Sequence, residues 1–332
     1  MPTNPEKMKS VKDFSHKNIF FAIAHSASGC CYVGSSDFKV SEIELSAAKP
    51  ELKEIGAHQS YVTGLALAGD SLISGGYDGK LIWWDFAKKS RVREIDAHRK
   101  WIRQVRASRD GKYVVSVADD MVARVWNTAS GKLMHELHGH QEMTPTHFTS
   151  MLYACAISPD GRQIATGDKI GHVVVWDANS GAKLTELEAP GFYTWDPVQR
   201  RHSIGGIRTL AFSPNGASLA IGGIGKISNI DHLDGKARVE VFDWKAGKRS
   251  HEFPGDKFNG LVNSLVFHPK AEWLLGVGGA GDGFVLFFDL NAKKAIKQEK
   301  MPVHLHDVAL NEAGDTLDLA GHGRLIVCDL KG

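Results

Sequence analysis

The segments KLIWWD (80–85), VARVWN (122–127) and HVVVWD (172–177) decide how this chain is read. Each is a short β-rich run that ends in Trp followed by Asp or Asn. RVEVFD (238–243), FVLFFD (284–289) and RLIVCD (324–329) repeat the pattern with Phe or Cys at the Trp position, and VSEIE (40–44) is a weaker first copy. The runs end at 44, 85, 127, 177, 243, 289 and 329, so their spacings are 41, 42, 50, 66, 46 and 40 residues. Four of these lie near the ~40–45 residue period of a four-stranded blade. The 50 and the 66 read as the same unit with insertions.

The rest of the unit repeats as well. Upstream of each run comes a turn: SRDG (108–111), SPDG (158–161), SPNG (213–216) or HPKA (268–271). An alternating run such as IRQVRAS or LYACAIS precedes that turn, and an apolar run ending in Gly follows it. After the aromatic–Asp step come a small turn and one more strand, as in SGKLMHEL and SGAKLTEL. That makes four short strands per repeat with turn signals between them, and no long stretch has helical periodicity.

With these repeats on view, the chain resembles the WD-repeat β-propellers over nearly all of residues 8–330. The resemblance implies a buried four-residue network within a blade. In the second repeat its members are His58, Ser74, Asp78 and Trp84; in the third they are His98, Ser116, Asp120 and Trp126. The Ser-to-Asp and Asp-to-Trp spacings are four and six in both. The fourth repeat offers His140, Thr166 and Trp176 but has Ile170 where the Asp is due. The fifth to seventh, with Phe242, Phe288 and Cys328, are expected to lack the full network and to rely on apolar packing.

The expected fold is therefore all-β: a seven-bladed propeller of four-stranded antiparallel blades in a single domain, 1–332. The blades fall at about 17–57, 58–97, 98–139, 140–189, 190–255, 256–301, and 302–330 plus 8–15. The last repeat supplies only three strands. Its fourth is expected from Ser10 to Phe14, which would tie the chain ends together and hide an edge strand.

Composition narrows the function. The chain has 332 residues, 42% of them apolar and 23% charged, with Lys plus Arg at 40, Asp plus Glu at 38 and a net charge of +2. So balanced a charge argues against a protein built to grip nucleic acid or an anionic membrane. No apolar stretch approaches the ~20 residues of a spanning helix. The start, MPTNPEKMKSVKD, does not read as a secretory signal. The cysteines (Cys30, Cys31, Cys155, Cys328) form no C-x-x-C pair and read as free thiols in a reducing cytoplasm.

Motifs that resemble chemistry dissolve on inspection. The Ser/His/Asp sets are blade networks that satisfy one another's buried polar atoms, not hydrolase triads. GVGGAG (276–281) matches G-x-G-x-x-G but is followed by a strand, where a dinucleotide site needs a helix. GGIGKIS (222–228) lacks the first Gly of a phosphate loop, since Ala220 stands there. His304, His306 and His322, with His16 brought near by closure, are weak candidates for a metal. No cofactor is expected.

Three insertions carry what remains: 141–150, 190–206 and 225–236. In the family's topology all three open on one face, here called the top, over the adjacent fourth and fifth blades. The second holds Phe192, Tyr193, Trp195, Arg200 and Arg201, residue types enriched at interface hot spots. Tyr61 and Trp101, just before two inner strands, are expected at the top rim of the central channel with Arg103 close by. The expected function is a non-catalytic scaffold, a monomer on its own, that binds proteins or peptides on its top face. The alternative is a propeller enzyme or a metal- or small-ligand-binding protein using the channel mouth.

Overall fold

The computed structural model describes residues 3–26, 29–198, 201–229 and 232–331. It is an all-β propeller of four-stranded antiparallel blades. One blade shows how the repeat folds: Val62–Ala68, Ser71–Gly76, Lys80–Asp85 and Ser90–Asp96 pair in chain order. The first strand alternates buried and half-buried residues, the second and third are almost wholly buried, and the fourth is mostly exposed. This gradient explains the apolar runs in the sequence. The middle strands are covered on both faces by neighbouring blades, so both sides of the strand are apolar.

The turns follow from their residues. In SRDG, the Ser108 hydroxyl donates to Asp110 Oδ1 at 2.7 Å and accepts from Tyr113 N at 3.1 Å, with Gly111 at φ +69°. SPDG and SPNG repeat this pattern through Ser158 and Ser213. HPKA puts Ala271 into the same left-handed position, at φ +56°. At the end of the third strand the Asp or Asn carboxyl or amide oxygen accepts the backbone N–H three residues on. Asn127, Asp177, Asp243 and Asp289 do so at 2.8–3.0 Å. The residue after the aromatic is therefore a turn cap.

Among the described residues there are six sheets of four or more strands, not seven separate ones. Five have four strands. The sixth has six, in the order Leu305–Leu310, Thr316–Asp329, Lys9–His25, Cys31–Ser35, Lys39–Ile43, Lys53–Ala57. The cause is one continuous strand, Lys9–His25, that serves two neighbours. Its first half pairs with the C-terminal strand, from Lys9↔Asp329 to Ser15↔Arg324. After a register break its second half pairs with Cys31–Ser35, from Phe20↔Ser35 to His25↔Cys31.

The first strands also bulge. Where the register shifts, one residue is left out of the ladder: Phe21, Thr63, Arg103, Tyr153, Arg208, Asn263 and His306. Bulges re-aim a side chain and free backbone groups. Polar side chains of the adjacent first strand take up several of the freed N–H groups: Gln104 Oε1 accepts from Cys155 N at 2.7 Å, Thr209 Oγ1 from Leu265 N at 3.0 Å, and Asp307 Oδ2 from Ile23 N at 3.2 Å.

Candidate functional site

The seven bulge residues line one cavity of about 240 Å³ at the propeller centre, together with Tyr77, Gln104, Arg106, Leu261, His304 and Asp307. One arc of its mouth is aromatic. Trp101 stacks on Tyr77 with ring centroids 4.4 Å apart and planes at 5°. Tyr77 meets Tyr61 at 5.8 Å, Tyr61 meets Phe21 at 5.5 Å, and Phe21 meets His306 edge-on at 5.1 Å. Trp101 and Tyr61 remain 49% and 41% exposed, so the arc presents open ring faces.

Cationic side chains adjoin this arc, beginning with Arg103, which lies over the Tyr77 and Trp101 rings. Arg103 makes two hydrogen bonds to Asp119, at 2.8 and 2.6 Å, and a third to the Tyr77 hydroxyl at 2.7 Å. Burial, the largest single influence, opposes its charge, but Asp119, Tyr77 and Tyr153 together outweigh burial and keep it protonated. Arg103 is thus committed to internal partners. Arg208 differs: its guanidinium lies 3.7 Å from the Tyr153 ring centroid and donates to the Gly205 carbonyl at 2.9 Å. No carboxylate pairs with it among the described residues. Burial lowers its proton affinity. Lys169 is buried nearby, donating to the Thr149 carbonyl at 3.2 Å; burial and then Arg208 depress its ammonium. The mouth therefore holds more desolvated positive than negative charge, with Asp119 and Asp307 set against Arg103, Arg106, Arg208 and Lys169, an arrangement that favours an incoming anion. Beside Trp101 a groove of about 440 Å³ runs over Tyr77, Lys100, Asp119, Ser150 and Met151. The buried Ser150 Oγ in that groove has no hydrogen-bond partner.

The histidines of the last repeat belong to this mouth, but not as ligands converging on a point. The rings of His304, His306 and His322 form a triangle, with centroids 4.7–5.1 Å apart and planes within 30° of one another. Among the described residues, their ring nitrogens do not come together within 4.8 Å, as the ligands of one metal ion must. Burial, then the neighbouring imidazoles, pushes His304 down to about 4 and His306 to about 3. His16 does not join the triangle; it lies over Phe14 and Phe20, and its Nδ1 accepts from Asn18 N.

The three insertions touch one another. The Tyr193 hydroxyl is 2.6 Å from Thr146 Oγ1 and 3.2 Å from Thr144 Oγ1, which joins 190–206 to 141–150. Ile227 N donates to Thr194 Oγ1 at 3.0 Å, which joins it to 225–236. The middle insertion is not a plain loop but a β-hairpin, Tyr193–Asp196 with His202–Gly205. Trp195 is 45% exposed on it, and Arg201 is exposed. Phe192 does not reach the surface. It is fully buried with Val173, Ile207 and Ile221, and Arg238 lies over its ring, so it anchors the hairpin. Arg200 lies outside the described residues.

The blade networks are geometrically explicit. His58 Nε2 and Trp84 Nε1 both meet Ser74 Oγ at 2.7 Å, and His58 Nδ1 meets Asp78 at 3.0 Å. In the third repeat, Ser116 Oγ is 2.7 Å from His98 Nε2 and 3.0 Å from Trp126 Nε1, and His98 Nδ1 is 3.0 Å from Asp120. Arg124 adds a bond to Asp120 at 2.9 Å. Burial alone raises the Asp120 carboxyl, but the hydrogen bonds from His98 and Arg124 outweigh it and hold the group well below the ordinary range. The fourth repeat corrects the sequence reading. Its carboxylate is not missing at Ile170 but supplied by Asp168, whose Oδ2 is 2.9 Å from His140 Nδ1. Thr166 Oγ1 completes the set, 2.8 Å from His140 Nε2 and 3.0 Å from Trp176 Nε1. In the fifth, an ion-pair cluster absent from the sequence reading appears: buried Glu240 binds Arg238 and Arg249.

The sequence of the family described as "WD domain, G-beta repeat" matches residues 49–85, 89–127 and 131–177. These are the stretches that contain the three complete networks. The chain carries WD40 repeats on a β-propeller. It is 29% identical to nuclear distribution protein PAC1-2 of Uncinocarpus reesii, over 48% of this chain and 35% of that protein. It is 27% identical to meiotic recombination protein rec14 of Schizosaccharomyces pombe, over 68% of this chain and 65% of that protein. It is 28% identical to apoptotic protease-activating factor 1 of Rattus norvegicus, over 53% of this chain and 13% of that protein. The chain thus spans less than two thirds of the length of each of these curated relatives.

Proposed function

We propose that the chain is a seven-bladed, non-catalytic scaffold that docks a partner protein or peptide at the top mouth of its channel. Seven blades are supported by the six-stranded sheet. The strand Lys9–His25 changes partners at the break between Ser15 and Ile19, as expected where the outer strand of a last blade becomes the inner strand of the first. The bond from Ile23 N to Asp307 joins the same two units on the channel side, and Asn4 N donates to the Leu330 carbonyl at 2.9 Å on the outer side. Those contacts favour closure by residues 8–15.

The observation that carries the docking reading is the pairing of an exposed aromatic arc, Trp101 and Tyr61, with two desolvated cations, Arg208 and Lys169, that have no ion-pair partner among the described residues. A partner with an acidic anchor flanked by apolar residues fits both halves. The repeats favour a binding role, since WD-repeat propellers generally bind other proteins. Free thiols at all four cysteines accord with a cytoplasmic setting. Among the described residues, no helix is long and apolar enough to cross a membrane.

The test compares partner affinity of the parent, a Trp101→Ala variant and a Trp195→Ala/Arg201→Ala variant, each checked for melting temperature. Loss of Trp101 is expected to weaken binding by about 2 kcal/mol, roughly thirtyfold, with folding intact. Loss only in the second variant moves the contact to the hairpin. Unchanged binding in both overturns a top-face site.

A further inference from the structure

Away from the mouth, at the seam between the first and last repeats, three unlike side chains meet. His25 ends the strand Lys9–His25, Cys31 opens Cys31–Ser35 opposite it, and Asp318 lies near the start of Thr316–Asp329. Cys31 Sγ donates to Asp318 Oδ2 at 3.3 Å, and His25 Nε2 is 3.7 Å from the same oxygen. All three donor atoms lie within 4.8 Å of one another, the one such group among the described residues. Zinc takes sulfur at ~2.3 Å and nitrogen or oxygen at ~2.0–2.1 Å, so a tetrahedral site spaces its ligand atoms by about 3.3–3.6 Å. The two separations that meet at Asp318 need to adjust by only a few tenths of an ångström, and the third lies within 4.8 Å.

Two further observations favour a cation. Asp318 is buried, yet among the described residues no Lys or Arg pairs with it; its one ion-pair partner is His25. The three donors also line a cavity of about 440 Å³ that opens beside them, leaving room for a fourth ligand. Lys12 lines the same cavity, but its ammonium is held by the Ser46 and Ala47 carbonyls at 2.6 and 2.8 Å. The cluster is not a thiol nucleophile with its base, because the thiol donates to the carboxylate rather than to the imidazole. Burial, reinforced by Asp318, also keeps that thiol protonated.

We propose that His25, Cys31 and Asp318 form a site for one borderline-soft divalent cation of the zinc class, with its fourth position open to the cavity. Thiolate and carboxylate together balance the two positive charges, and the neutral imidazole adds none. The Cys31 proton leaves to solvent as the metal–sulfur bond forms. Sulfur, nitrogen and oxygen in one set select zinc-like ions over magnesium or calcium. The bound ion links the N-terminal strands to the C-terminal one, so it also staples the seam.

The test uses the full chain, stripped with a chelator and titrated with Zn²⁺ by calorimetry and with Co²⁺ by absorption spectroscopy. One equivalent is expected to bind, Co²⁺ giving a thiolate charge-transfer band in the near ultraviolet that Zn²⁺ abolishes. The melting temperature is expected to rise with Zn²⁺. Cys31→Ser is expected to lose the band. His25→Asn and Asp318→Asn are expected to weaken binding by at least ~10–100-fold, the loss seen for outer-shell partners alone. Cys30→Ser is expected to bind as the parent does. Absence of the band in the parent, or its survival in Cys31→Ser, overturns the site. His25 is partly exposed and its replacement leaves the core intact, so unchanged affinity in His25→Asn overturns it even if Cys31→Ser does not fold.

Discussion

Replacing Asp168 with Ala tests the corrected network of the fourth repeat. The carboxylate is almost completely buried and accepts from three donors: His140 Nδ1 at 2.9 Å, Ile170 N at 3.0 Å and His172 N at 3.1 Å. Truncation leaves all three without an acceptor. A buried donor left unpaired costs about 1–3 kcal/mol. The His140 ring is wholly buried and bears that cost in full, while the two turn amides are half-buried and can recruit water. The sum is about 2–4 kcal/mol. At roughly 2 °C per kcal/mol for a chain this long, the melting temperature is expected to fall by about 4–8 °C. Thermal unfolding followed by circular dichroism reads this directly. A second variant, Asp168→Gly with Ile170→Asp, moves the carboxylate to the position it holds in the second and third repeats, and is expected to recover part of the loss. A melting temperature within about 1 °C of the parent for Asp168→Ala would refute the reasoning, since the three donors would then have found equal partners elsewhere.

Three further outcomes follow from the same structure. Burial holds the folded pKa values of His304 and His306 below the ~6.5 of an unfolded histidine, so the unfolded chain binds more protons in acid. Their contribution to stability is complete above about pH 6.5 and is lost as pH falls toward 4. His306→Phe, which also removes a buried Nε2 without a hydrogen-bond partner, is expected to flatten the melting temperature between pH 6.5 and 4; an unchanged slope argues against the triangle of rings. Ala271→Gly is expected to stabilise by about 0.5–1 kcal/mol, as relief of a left-handed alanine exceeds the added freedom of the unfolded chain, and a lower denaturation midpoint would contradict the turn. Deleting residues 1–16 is expected to bare the edge of Thr316–Asp329 and lower the melting temperature or cause aggregation; a deletion mutant as stable as the parent sinks closure through that strand.

The fold was legible because its signals repeat. A turn cap follows the aromatic position, a Ser-x-Asp/Asn-Gly turn follows three of the inner strands, and a four-then-six spacing of network residues occurs in two repeats. Asp168 departs from the spacing that identifies Asp78 and Asp120. It is the last residue of Gln163–Asp168, two positions before the slot that Asp78 and Asp120 fill, and from there a short side chain reaches the same imidazole nitrogen. Phe192 misled for a different reason. Its neighbours in sequence belong to an inserted hairpin, but its ring sits among Val173, Ile207 and Ile221 from two separate repeats. Burial of that kind depends on how blades stack, which no local window contains. The same holds for the seam cluster, in which Asp318 is separated from His25 and Cys31 by almost the whole chain.

The mouth shows where local reading could have gone further. Each inner strand begins with an alternating run, and alternation assigns its second residue to the face turned away from the blade core. The bulge makes that residue the one left out of the ladder and turns it into the channel. Taken across the repeats, that single position yields Phe21, Thr63, Arg103, Tyr153, Arg208, Asn263 and His306, the ring that lines the central cavity. Long insertions drew attention to the rim, since extra residues are visible in a sequence. The channel is built without extra residues, by a one-residue slip in each ladder. Its charge follows from the same slip: two arginines enter the ring, only one has an aspartate beside it, and Arg208 is left with a carbonyl and a tyrosine face. An unbalanced cation in a desolvated mouth is costly to keep in the free protein. That cost is recovered when a negative group arrives, which is why the acidic anchor, and not the surface hairpin, is the feature expected to distinguish this propeller's partner.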